Sequence, residues 1–199
     1  MINYIDKMAD AIVDVLKYSD QSVPWPEAEH VDPDPAIKPE WYYPALQSSD
    51  ASEIIAILLY TQQAGLYDDE IGDLVLGVGL VEMKHFANIR DTIVSLGGEL
   101  PQPLTGQDLK LGTTVGEALA IDVQSEYDTI LFYEDLKKKI TSQTETAQTI
   151  QAMLDKIIAD ETLHLKLFLQ QLHKLQLSHL IDHISEAVYS KFPALKPKA

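Results

Sequence analysis

The chain contains no cysteine at all. That one absence removes disulfides, thiolate nucleophiles, zinc-finger modules, iron–sulfur clusters and rubredoxin-type iron sites from consideration. Positive charge is scarce: 15 Lys and Arg stand against 31 Asp and Glu, for a formal net charge of -16. Nucleic acid and anionic membrane surfaces both demand a basic face, so neither is an expected partner. No apolar run is long enough to span a bilayer. The opening stretch MINYIDKMADAIVDVLKY carries Asp6 and Asp10 and lacks a cationic start, so it does not read as a secretory signal. A soluble cytoplasmic protein that handles cations is the expectation.

Convincing strand patterns are missing as well, and the pattern after Pro44 is helical almost throughout. Ile2, Ile5, Met8, Ile12 and Leu16 recur at helical spacing and predict a short amphipathic helix over 2–18. Between Asp20 and Pro44 lie Pro24, Pro26, Pro33, Pro35, Pro39 and Pro44, a density that forbids regular helix or a central strand. Trp25 and Trp41 in this arm point to packing on the domain or on a partner subunit rather than to a bare linker. Helices are expected over 45–64, 69–96, 112–140 and 145–175, with a last short one near 177–190. Gly65, Gly97-Gly98 and TSQT at 141–144 punctuate them. The fold class read from this is all-α: an antiparallel four-helix bundle with a long crossover at 97–111. The implied division is an N-terminal helix and Pro-rich arm (1–44), the bundle (45–176), and a C-terminal helix and tail (177–199).

Against that apolar background, certain polar residues stand where leucine belongs. In GVGLVEMKHFANIRDTIV, Glu82 and His85 share a helix face with Val75, Val78 and Ile89. The helix over 145–175 repeats the pair as Glu161 and His164, flanked by Leu154, Ile157 and Phe168. The other two helices each contribute one inward carboxylate, Glu53 and Glu126. In an antiparallel hairpin, residues equidistant from the turn lie level. The midpoint of Glu53 and Glu82 falls at Tyr67 and Asp68, and that of Glu126 and Glu161 at Gln143 and Thr144, each at an expected turn. A tyrosine follows each lone glutamate at the same spacing, Tyr60 and Tyr133. The stretch 97–111 extends to roughly 50 Å, enough to pass a helix of roughly 42 Å.

Four buried carboxylates without partners are too costly to keep, whereas two divalent cations cancel their charge and two neutral imidazoles complete the ligand set. Carboxylate and imidazole ligation suits iron or manganese. Asp160 and Asp122 are candidates to accept from a ligand histidine and fix its tautomer, or else are capping or solvated aspartates. Singly, each residue has a plainer reading: Glu53 as a capping-box residue of Asp50, Glu126 as a surface residue, His164 as a core histidine. His30, His173, His179 and His183 have no matching partners and read as surface or packing residues.

The set resembles the ferritin-like superfamily of di-metal carboxylate proteins, and within it bacterioferritins and rubrerythrins. VEMKHFANIRDTIVSLGGELP is similar to the second-helix signature of bacterioferritins, and ADETLHLKLF to their fourth-helix metal motif. The likeness covers about residues 45–175. It implies metal ligands at Glu53, Glu82, His85, Glu126, Glu161 and His164, two iron ions or alternatively manganese, and chemistry with dioxygen or hydrogen peroxide. The oxidoreductase reading covers ferroxidase or peroxide-detoxifying activity. Iron storage in a shell and a manganese catalase-like activity are the alternatives. Tyr60 falls where such proteins place a tyrosine near the metals, and with Tyr133 it is a candidate catalytic residue. Met83 stands where a bacterioferritin methionine can ligate haem. An outward methionine more often packs an interface, so haem is not expected. The absence of a rubredoxin module implies a separate electron-donor protein. The foreign arm implies a small closed oligomer, most simply a homodimer, in place of a storage shell.

Overall fold

The computed structural model describes residues 15–26, 31–47, 51–67, 70–102 and 109–197. Among them there is no strand, and six α-helices follow in order: α1 Tyr43–Leu46, α2 Glu53–Ala64, α3 Glu70–Ser95, α4 Val115–Lys139, α5 Glu145–Lys174 and α6 Asp182–Lys191. Of the helix expected over 2–18, residues 1–14 lie outside the described residues, and Val15–Lys17 forms a 3-10 turn.

Local chemistry sets the helix ends. The Thr114 hydroxyl accepts from the Glu117 N–H, and Glu117 reaches back to accept from the Thr113 N–H at 2.8 Å. Lys137, Lys138 and Lys139 close α4, where cations face the carbonyl end of the helix dipole. Beyond α3, Gly97 adopts φ +79, and Gly98 N–H reaches the Ile93 carbonyl at 2.9 Å, a Schellman closure that a Cβ at position 97 would strain.

One expected helix is divided. Apolar spacing carried the first helix of the bundle from 45 to 64, because Leu46 falls in phase with Ile57. Instead, α1 ends at Leu46, and Gln47 and Ser52 are both extended. The Ser52 hydroxyl then caps α2 by accepting from Ile55 N–H. Periodicity does not register such a break, because a kinked chain can keep its apolar residues on the core side.

The helices pack as two pairs, α2 with α3 and α4 with α5. Their apolar residues divide into two clusters. The first joins Leu74 and Val78 near the start of α3, Leu119 and Val123 near the start of α4, and Phe168 and Leu172 near the end of α5. The second joins Ile89 and Ile93, Tyr133 and Leu136, and Ile150 and Leu154, from the opposite ends of the same helices. Helices α3 and α4 therefore run in the same direction and α5 runs against them. The segment after α3 leads from the second cluster back to the first. The arm contributes Ile37 and Tyr42 to the second cluster, and the tail contributes Ile181 and Val188 to the first. No helix among the described residues is long and apolar enough to cross a membrane.

Thr144 joins arm and bundle. Its hydroxyl caps α5 by accepting from Ala147 N–H at 3.1 Å and donates to Asp34 Oδ2 at 2.6 Å. Thr144→Ala is expected to cost about 1–2 kcal/mol in urea unfolding, within the range for lost caps, and Thr144→Ser to restore most of it. Equal midpoints for the three proteins would disprove the link.

Candidate metal centre

Between the two apolar clusters lies a polar layer. Glu53 is the first residue of α2, Glu82 and His85 sit midway along α3, Glu126 midway along α4, and Glu161 and His164 midway along α5. All six side chains are buried, none more than 2% exposed. Glu126 is thus not a surface residue. Glu53 is not the capping-box partner of Asp50, because Ser52 caps the helix and Glu53 follows it directly.

The six form two overlapping groups, Glu53–Glu82–His85–Glu161 and Glu82–Glu126–Glu161–His164, with the ligand atoms of each within 4.8 Å of one another. Glu82 and Glu161 belong to both. Their oxygens are divided between the histidines: Glu82 Oε2 lies 2.8 Å from His85 Nδ1, and Glu82 Oε1 lies 3.0 Å from His164 Nδ1. Glu161 Oε1 lies 3.0 Å from His85 Nδ1 and Oε2 lies 3.4 Å from His164 Nδ1. Glu53 belongs to the His85 side at 3.7 Å and Glu126 to the His164 side at 3.6 Å. The two imidazoles are stacked 6.1 Å apart. The hydroxyl of Tyr60 on α2 donates to Glu126 on α4, and that of Tyr133 on α4 donates to Glu53 on α2. The arrangement is nearly two-fold, with one terminal carboxylate, one histidine and one tyrosine on each side of two shared carboxylates.

Behind the ring, each histidine has a partner at Nε2. His85 Nε2 lies 3.2 Å from Asp160 Oδ2, and His164 Nε2 lies 2.7 Å from the Tyr18 carbonyl. An acceptor at that position holds a proton on Nε2, so that a cation displacing the Nδ1 proton would meet the Nδ1 lone pair among the carboxylates. Of the two candidate aspartates, Asp160 thus takes the supporting place. Asp122 is also buried but accepts from Gln63 Nε2 at 3.0 Å. Lys156, unforeseen from the sequence, is 2% exposed and donates to Asp160 Oδ1 at 2.6 Å. Its only signal was a cation at a core-facing helical position, four residues before Asp160. The part played by Tyr18 leaves no sequence signal, since every residue has a carbonyl.

Without a cation, the charge in the layer is balanced only by protons on its own ligand groups. Burial, then the neighbouring Glu82 and Glu126, hold the Glu161 carboxyl well above its ordinary range. Burial pushes Glu53 up to about 7. Burial opposes charge on His85 and His164, but the carboxylates facing them outweigh it and raise both. Glu82 is pushed up by burial and held down more strongly by the two histidines. Glu82 Oε1, Glu161 Oε1 and His164 Nδ1 make no well-aligned hydrogen bond, although Glu82 Oε1 lies 3.0 Å from His164 Nδ1 and Glu161 Oε1 lies 3.0 Å from His85 Nδ1. Buried polar atoms are rarely left so. Carboxylate oxygens and imidazole nitrogens converging on two points are a donor set that fits two divalent cations.

A crevice lined by Ala56, Ser125 and Thr129, too narrow for a water molecule, reaches the four carboxylates from the side of α2 and α4. Met83 is 42% exposed and takes no part in either group. His173 bonds the Tyr189 hydroxyl at 3.0 Å, His179 and His183 are exposed, and His30 lies outside the described residues. No protein-family model matches the chain, and no curated protein matches it.

Proposed function

We propose that the chain is a ferritin-like di-metal carboxylate protein, holding two iron or two manganese ions, that acts as an oxidoreductase on dioxygen or hydrogen peroxide. The observation that carries this reading is the division of the Glu82 and Glu161 oxygens between the two histidines. Carboxylates so placed can each span a pair of cations. Glu53 and His85 would complete one ion's ligands, and Glu126 and His164 the other's. Iron or manganese held there supplies two adjacent one-electron centres, and hence two-electron chemistry. Tyr60 and Tyr133 fix the terminal carboxylates and keep a hydroxyl proton at Glu126 and at Glu53. The apolar clusters above and below exclude water from the layer, and Ala56 and Thr129 line its narrow approach from the side of α2 and α4. With no cysteine in the chain, reducing electrons come from a separate donor. The assembly is a small closed oligomer, most simply a homodimer.

The test is elemental analysis and native mass of protein purified without added metal, followed by oxygen and peroxide consumption by Fe(II)- and Mn(II)-loaded samples. The expected result is two ions per chain, one for each of the two ligand groups. A metal-loaded crystal with either histidine turned to solvent would refute the site. A large hollow shell would move the reading to storage, and turnover with manganese alone to a catalase-like activity.

A further inference from the structure

The two sides of the centre match in their glutamates, histidines and tyrosines, and differ behind the histidines. Asp160, the residue before Glu161, supports His85. The corresponding residue before Glu82 is Val81, which offers no acceptor. His164 takes its support from the carbonyl of Tyr18, 146 residues away in the chain. The arm thus supplies what the helix lacks.

That segment is fastened where it crosses the histidines. Lys156 Nζ donates to Asp160 Oδ1, to Ser19 Oγ at 2.9 Å and to the Asp20 carbonyl at 2.5 Å, while Asp20 N–H donates to Asp160 Oδ1 at 2.5 Å. The Tyr18 ring is seated on α3 at Gly77, where a Cβ would stand 2.0 Å from a ring carbon. The Trp25 ring centre lies 6.0 Å from that of His85, with Lys156 Nζ 5.7 Å from the indole centroid.

We propose that residues 18–25 form a clasp over the metal centre, in which the Tyr18 carbonyl positions His164 and Lys156 is the post on which the clasp closes, so that metal retention and docking of the segment are coupled. The inference rests on the di-metal reading above. An ammonium has three donors, and here two of them are satisfied by the clasp and one by Asp160. If the segment leaves, Lys156 and the His164 Nε2–H exchange fixed acceptors for water, and the orientation that the Tyr18 carbonyl gives the imidazole is lost. In the other direction, a cation on Nδ1 polarises the imidazole and strengthens the Nε2–H as a donor to Tyr18. The docked and undocked states therefore differ in metal affinity, and by linkage the metal favours docking by the same factor. Tyr18 and Lys156 are positioning residues: neither touches the atoms that would hold the ions.

The experiment uses the full chain with Mn(II) as the probe and has two readouts: release of Mn(II) to excess chelator, and trypsin cleavage at the Lys17–Tyr18 bond, with Lys191–Phe192 as a distant control. Mn(II) is expected to slow cleavage at Lys17–Tyr18 by roughly tenfold or more and to leave the control bond much less affected. Gly77→Leu fills the ring seat with apolar atoms and is expected to speed Mn(II) release about 10–100-fold, the usual effect of losing a ligand's outer partner, while binding still saturates at two ions. Lys156→Met is expected to act in the same direction. Should either variant lose its helicity, Tyr18→Gly loosens the clasp from the arm itself without altering any bundle helix. Wild-type release rates in the folded variants, or metal-independent cleavage at Lys17–Tyr18 in the wild type, overturn the clasp and leave the di-metal reading standing. A wild-type chain that takes up neither Mn(II) nor Fe(II) overturns both.

Discussion

Glu161→Ala is expected to leave the chain unable to hold either ion, whereas Glu126→Ala leaves one. The difference follows from where the oxygens lie. Glu161 places Oε1 3.0 Å from His85 Nδ1 and Oε2 3.4 Å from His164 Nδ1, so one carboxylate serves both groups. Its loss removes a donor from each position and leaves three carboxylates to face two divalent ions. Glu126 belongs to the His164 group alone, so its loss leaves Glu53, Glu82, His85 and Glu161 together. Turnover of dioxygen or peroxide is expected to fall at least 100-fold in Glu161→Ala, the scale of losing groups that act as a unit. The metal-free fold should survive. Alanine is the best helix former, and the Glu161 carboxyl is held well above its ordinary range in the metal-free layer, so its removal strands no strong ion pair. Metal-free Glu161→Ala should therefore keep its helix content and unfold cooperatively, as metal-free wild type does. Retention of two ions by Glu161→Ala would end the shared-carboxylate argument, and loss of both by Glu126→Ala would show that the two positions are not separable.

Much of this layer was legible because helix periodicity and hairpin geometry are both short-range rules. Glu82 and His85 are three apart, so they had to share a face. Glu53 lies level with Glu82 because the turn lies midway between them, and the same holds for Glu126 and Glu161. Tyr60 and Tyr133 repeated the pattern, and each bonds to the lone glutamate of the opposite pair. The less legible parts are those set by long-range contacts. The break between Leu46 and Glu53 was hidden because Leu46 stays in phase with the stripe. Asp122 and Asp160 read alike in sequence, and only packing shows Gln63 beside one and His85 beside the other. The prolines and tryptophans of the arm announced an irregular segment that packs, and Trp25 does pack beside His85. Nothing in the sequence could say that the backbone of Tyr18 would be the acceptor for His164. Lys156 was passed over because a lysine at a helix interior position is ordinarily a solvated side chain.

Acidification is expected to empty the centre over the range just below neutrality. A cation can bind only deprotonated carboxylate and neutral Nδ1, so the question is which protons the metal-free layer holds. Burial puts Glu53 at about 7 and holds Glu161 above the usual carboxylate range. His85 and His164 are raised by the carboxylates around them, against the effect of burial. A group with a raised value is protonated below that value in the empty protein, and the loaded protein holds none of these protons. Lower pH therefore favours the empty state, and affinity rises with pH. Glu82 is held down, stays ionised through this range and releases no proton on loading. Each proton displaced costs about a factor of ten in apparent affinity per pH unit, so two protons per ion give roughly 100-fold per unit. Burial, with Glu126 beside Tyr60 and Glu53 beside Tyr133, raises the phenols further, so both hydroxyls remain donors throughout and the terminal carboxylates keep their orientation. Mn(II) isotherms between pH 5 and 8, recorded in a weakly buffered indicator dye, measure both quantities at once. Affinity independent of pH, or loading without proton release, would mean that the layer stands deprotonated before metal arrives, and that four uncompensated negative charges are tolerated between the apolar clusters.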